Sequence, residues 1–169
     1  MSHPLVIALF SSPAAAAAAA RALHGAHVPR DRISVISRNH DEESALASDL
    51  DVTPGSDIED SPAAARLGEL SGYILAAIAL VLPGVGPIVA AGPLAAGLGE
   101  AAGHVAGGLA PALQGAGIPA ARAEALEQAV KEGAILLGVH TPPPDVDSIH
   151  ALLRANGARE VETAIWDQA

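Results

Sequence analysis

The chain has 169 residues, half of them apolar, and a formal net charge of −10. One Phe, one Trp, one Tyr and one Met leave alanine to supply much of the apolar total, and an alanine methyl buries little area. The lack of cysteine excludes disulfides and thiolate chemistry, and an acidic chain whose single lysine is Lys131 argues against nucleic acid and anionic headgroups as partners.

Met1-Ser2-His3-Pro4 has no basic n-region and Leu5 to Phe10 is too short for a signal h-region, so a cytoplasmic protein is expected. Leu5-Val6-Ile7-Ala8-Leu9-Phe10 reads as a buried strand. Ser11 and Ser12 offer an N-cap, Pro13 suits the first helical turn, and Ala14 to Ala20 has the highest helix propensity there is. Gly25 is the expected C-cap. Ile33-Ser34-Val35-Ile36-Ser37 is a second strand, which completes a βαβ half over residues 1–38.

An acidic linker follows over 39–62. Asp41, Glu42, Glu43, Asp49, Asp51, Asp57, Glu59 and Asp60 occur there without Lys or Arg, the pattern of a solvated connection. Asp49-x-Asp51 starts like a calcium loop, but the Gly and terminal Glu spacing is absent.

Residues 63–117 read as an inserted Ala/Gly-rich helical hairpin. Residues 70 to 99 carry no charged side chain. A helix from Ser61-Pro62 is expected to run to about Leu82, Pro83-Gly84-Val85-Gly86-Pro87 to turn the chain, and Ile88 to resume helix, with Pro93 and Pro111 as breaks. Gly99, Gly103 and Gly107, and earlier Gly68 and Gly72, recur every fourth residue. Such glycines share a helix face and admit a second helix closely. They mark a packing or oligomerisation surface, because glycine in a helix costs up to about 1 kcal/mol against alanine. Residues 70 to 82 make about 20 Å of helix against a hydrocarbon core near 30 Å, so protein rather than lipid is the favoured cover. Glu100 and His104, spaced i, i+4 in this apolar stretch, form a candidate pH-sensitive pair.

The second half spans 118–169. Pro119 opens a helix with Ala123, Leu126 and Val130 inward that ends at Gly133. Ala134 to Val139 is a strand, and Pro142 to Pro144 break it. Val146, Ile149, Leu152 and Leu153 share a helical face, Gly157 caps that helix, and Val161 to Trp166 alternates as an edge strand. Two βαβ halves assemble as a ferredoxin-like α/β sandwich, an α+β fold with the first strands of both halves central. One sheet face is then covered by the two crossover helices, and the other is open and must find cover.

The stretch Leu82-Pro83-Gly84-Val85-Gly86-Pro87-Ile88-Val89-Ala90-Ala91-Gly92-Pro93-Leu94-Ala95 resembles the glycine-rich centre of the bacterial heat-induced, general stress protein family (YflT-type). Ile33 to Ile36, the acidic linker, Gly117-Ile118-Pro119 and Gly133 to Leu136 resemble that family too. Members often carry a Tyr in the helix after Gly-Ile-Pro; this chain has Leu126 and Glu127 there. The resemblance implies stress association and brings no catalytic residues.

Motifs of chemistry are sparse. Gly97-x-Gly99-x-x-Ala102 lacks the preceding strand of a dinucleotide fingerprint, and no Walker loop, G-x-S-x-G elbow or H-E-x-x-H occurs. His24 and His27 flank Gly25. His40 and His140 follow strands that a βαβ arrangement brings near each other, with solvated surface histidines the ordinary reading and a metal site the sharper one. The combined expectation is a non-enzymatic stress-associated structural or interaction protein, without cofactor or metal. It would form a homo-oligomer, with a dimer favoured, through the Gly-rich helices and the open sheet face. The second reading is a peripheral membrane protein that inserts the apolar hairpin into lipid.

Overall fold

Among the described residues six strands line up in one antiparallel sheet. The computed structural model describes residues 3–38, 78–82, 86–94, 108–115 and 117–166. The strands are β1 (His3–Phe10), β2 (Ile33–Arg38), β3 (Ile78–Leu82), β4 (Gly86–Ala91), β5 (Ile135–His140) and β6 (Glu160–Trp166), in the order β3-β4-β2-β5-β1-β6. Helix α1 (Pro13–Gly25) joins β1 to β2, and β5 pairs between them. A second helix, Val146–Ala155, joins β5 to β6 across β1 in the same way. The two most continuously apolar strands, β1 and β5, are therefore neighbours inside the sheet, in the register Leu5↔His140 to Phe10↔Ile135.

Local chemistry explains the helix ends. Ser12 Oγ accepts from the Ala15 amide at 3.2 Å, which satisfies one orphan donor of the first turn. Gly25 is not the left-handed stop expected of it. It is the last helical residue, and His27 takes φ 63° instead, because the chain leaves through Val28, whose amide bonds the Leu23 carbonyl at 3.0 Å. At the end of 146–155 the expectation holds. Gly157 has φ 90°, and the Ala158 amide returns to the Leu153 carbonyl at 3.2 Å, a glycine-closed end.

The helical reading of the insertion fails over 78–82 and 86–91, while the expected turn at 83–85 lies outside the described residues. Here β3 and β4 pair antiparallel from Ile78↔Ala90 to Leu82↔Gly86, and β4 pairs to β2 from Val35↔Ala91 to Arg38↔Ile88. Ile78, Val81, Ile88 and Val89 are β-branched and favour strand. The decisive term is tertiary: β2 would otherwise present a row of unpaired backbone groups. Helical period is thus overridden by a sheet edge in need of a partner.

The face expected to be open is covered. Two helices lie on it: α2 (Leu109–Gly115) and α3 (Ala120–Lys131). Leu5, Ile7, Leu9, Ile36 and Leu136 of the sheet share one buried cluster with Leu109, Leu113, Ile118, Leu126 and Val130. Each such side chain is worth about 1.5–3 kcal/mol when withdrawn from water, enough to make exposure of this face untenable. Pro111, read as a break, sits inside α2, where the first turn tolerates it. The opposite face carries Val6, Ala8, Phe10, Ile33, Val35, Leu137 and Val139 beneath the crossover helices. There Ala16, Ala17, Ala19 and Ala20 of α1 are buried, so small side chains set a close helix–sheet approach. The helix 146–155 is numbered α4 below.

Candidate functional site

The antiparallel register gathers three strand ends at one corner of the sheet. His3 opens β1 and faces Trp166, the last residue of β6, while Leu5 faces His140, the last residue of β5. Alternation puts His140 on the same face as Leu136 and Gly138. His3 Nε2 lies 2.8 Å from His140 Nδ1. The His140 ring meets Trp166 edge-to-face, with centroids 4.7 Å apart, a favoured aromatic geometry. Thr141 fixes the turn that follows, its amide bonding the Pro4 carbonyl at 3.1 Å.

The surrounding wall comes from two other elements. A single 3-10 turn, Arg30–Arg32, brings Asp31 and Arg32 to the corner just before β2. Beyond β4, Gly92 (φ 82°) turns the chain across β2, and a side chain there would run into the Ile33 backbone. The turn is pinned by the Leu94 amide, which donates to Ser34 Oγ at 3.0 Å. Leu94 then packs over Gly138, where an added Cβ would come within 2.8 Å of Leu94 Cδ1. Pro93 is carried to the cavity edge as a result. His3, Asp31, Arg32, Pro93, His140, Thr141, Pro142 and Trp166 line a cavity of about 470 Å³, within the size range of small-molecule sites.

His140 is the unusual group in it. It is 6% exposed, not the solvated histidine expected, and its Nε2 is buried without a hydrogen-bond partner among the described residues. Burial, with help from the nearby positive charges of His3 and Arg32, lowers its pKa to about 4, so the ring is neutral at pH 7. A neutral imidazole carries one proton. If His3 donates to Nδ1, the proton of His140 sits on the orphaned Nε2. If His140 donates to His3, Nε2 is a bare acceptor.

A second polar cluster ties α3 to the sheet and to α2. Arg122 Nε and its terminal nitrogen reach Glu162 at 2.6 Å and Glu160 at 2.7 Å. The Arg122 pKa is raised, chiefly by the Glu162 bond. Glu127 accepts from the Ala110 amide at 2.6 Å and from Lys131 Nζ at 2.6 Å. Burial pushes its carboxyl pKa upward, but those donors together hold it below the ordinary value. The position read as a departure from the general stress pattern therefore caps the start of α2.

Of the residues singled out in the sequence, Gly68, Gly72, Gly97, Gly99, Gly103, Gly107, Glu100, His104 and His40, with the acidic segment and its Asp49 and Asp51, lie outside the described residues. His24 and His27 line a separate shallow cavity with Val28, Pro29 and Arg30. No group of three metal-ligating side chains occurs among the described residues. His3 and Trp166 were not legible as site residues, because only strand register brings them to His140. Among the described residues no helix is long and apolar enough to cross a membrane. Comparison with known proteins finds no matching family model, no matching curated protein and no matching solved structure.

Proposed function

We propose that this chain is a non-enzymatic structural or interaction protein that assembles with copies of itself. The observation that carries the reading is the β3 edge. Ile78–Leu82 is uncharged and apolar throughout, stands at the end of the sheet order, and pairs on one side only among the described residues. Edge strands of monomers are normally blunted by Lys, Pro or a bulge. Ile78–Leu82 contains neither Lys nor Pro. A second copy pairing antiparallel across a two-fold axis would continue the sheet through both molecules.

The glycine-spaced segments fit the same assembly. Gly68 and Gly72 precede β3, and Gly99, Gly103 and Gly107 follow β4. In this proposal close helix packing between copies through these glycines would add to strand pairing. The core that carries them is a ferredoxin-like split βαβ sandwich in this reading, supported by the interleaving of β1-α1-β2 with β5-α4-β6. The likeness of residues 82–95 to general stress proteins supports a role in stress, and the lack of cysteine suits the cytoplasm. The covered sheet face is no longer part of the proposed interface.

Light scattering on protein purified without detergent tests this. A discrete dimer is expected, and Val81→Lys, which puts a charge on the uncharged edge strand, should yield a folded monomer with an unchanged circular dichroism spectrum. A monomeric parent protein, or a dimer indifferent to Val81→Lys, overturns strand pairing. Co-sedimentation with liposomes in place of a soluble dimer would favour the lipid reading instead.

A further inference from the structure

We propose that the cavity between His3, Arg32, His140 and Trp166 binds a small organic carboxylate with an apolar body. Three features of the site specify that chemistry. The first is the orphaned His140 Nε2, buried and unpartnered among the described residues. A buried ring nitrogen without a partner is costly, and where it carries the proton a carboxylate oxygen is the acceptor that relieves it with the most to gain, because charge-assisted bonds are about twice as strong.

The second is the sign of the charge. The chain as a whole is strongly acidic, yet among the described residues this cavity gathers Arg32 and two histidines against the single carboxylate of Asp31. Arg32 stands at the rim, where a guanidinium meets a carboxylate in a planar fork. In the tautomer in which His3 donates to His140 Nδ1 across 2.8 Å, the His140 proton sits on Nε2 and is available to an anion.

The third is the apolar remainder of the wall. Trp166, Pro93 and Pro142 offer flat surfaces with no charge, which a bare inorganic anion would leave unused. This site is independent of the proposed assembly: its residues lie at the ends of β1, β5 and β6, in the turn before β2 and just beyond β4, with none on β3, and its readout is optical rather than a molecular mass.

Trp166 is the single tryptophan of the chain, so its emission reports on the cavity alone. Titration of the full-length protein with benzoate should change that emission saturably. Benzamide, the uncharged isostere, and inorganic phosphate should each bind at least about tenfold more weakly, the worth of one charge-assisted bond. Arg32→Gln, at an exposed position, should weaken benzoate by about tenfold without changing the melting temperature. His140→Phe should abolish the preference for benzoate over benzamide. Absence of a saturable change, equal affinity for benzamide, phosphate binding as tight as benzoate, or full affinity in Arg32→Gln each overturns the proposal. Because Arg32→Gln leaves the core untouched, a misfolded His140→Phe protein would not remove the test.

Discussion

The two edges of the sheet are finished in opposite ways. At β6, side chains of the same molecule do the work: Arg122 of α3 grips Glu160 and Glu162, Trp166 packs on His140, and on the other face Thr163 Oγ1 lies 2.8 Å from the His150 ring. Charged residues along a strand deter pairing with a stranger. At β3 no charge stands along the strand. Its hairpin is tied to the sheet by the β2–β4 ladder, the Gly92 turn, the Ser34–Leu94 bond and the buried Ile88 and Ala90. One edge is closed by its own chain; the other, among the described residues, is paired on one side and carries no charge.

The largest expected effect tests how the β3 edge is held. Gly92 combines a left-handed backbone with direct contact to the Ile33 carbonyl region. Gly92→Val should cost about 3–5 kcal/mol, from a strained φ and from displacement of packed backbone. Urea unfolding measures the loss. Hydrogen exchange says where it falls: fast exchange in 78–91 with β1, β5 and β6 still protected would make the hairpin a separable unit. A stability equal to that of the parent protein would mean that β4 is not docked on β2 as described.

The second effect belongs to the β6 side and is read by pH. His140 has its folded pKa lowered from 6.5 to about 4. Between those values the unfolded chain binds a proton that the folded chain refuses, so stability is fully present above the unfolded pKa and falls as pH drops through the window toward 4. The full shift corresponds to about 3 kcal/mol. Urea midpoints at pH 7 and pH 4.5 should differ by a large part of that, with exchange near Trp166 rising first. His140→Phe should flatten this part of the profile, and an unaltered pH slope in that variant would place the acid-sensitive group elsewhere.

Much of this architecture was legible in the residues. The strands at 5–10, 33–37, 135–139 and 161–166 and the helix with Ala123, Leu126 and Val130 inward follow from local pattern, and the structure agrees. The hairpin did not. Ile78 to Ala91 is apolar without clear alternation, and a run buried on two sides looks the same in either period; only the unpaired flank of β2 decides it. The cover on the second face was missed for a related reason. Leu109 and Leu113 belong to a stretch whose glycine spacing drew attention to itself, while their partners Leu5, Ile7 and Leu9 lie far back in the chain. The site was least legible. His140 closes an apolar strand on the parity of Leu136, a signal that its ring points into a covered face, but nothing local announces that β1 and β6 begin and end beside it.

The smallest effect asks which feature of β6 keeps that edge closed. Arg122 and its two glutamates are partly exposed, with Glu160 at 55%, so solvent screens the pair and the expected cost of Arg122→Met is about 0.5–1 kcal/mol in urea unfolding, shrinking at high salt. Glu160→Gln alone should cost less still. The mass of the protein should not change in either variant, because Glu162 and the Trp166 packing remain along the strand. Larger particles from Arg122→Met would mean that the clamp, by holding the glutamates over the sheet, is what denies β6 to a second copy. In that event the two edges would differ by a single side chain of α3 rather than by the composition of the strands themselves.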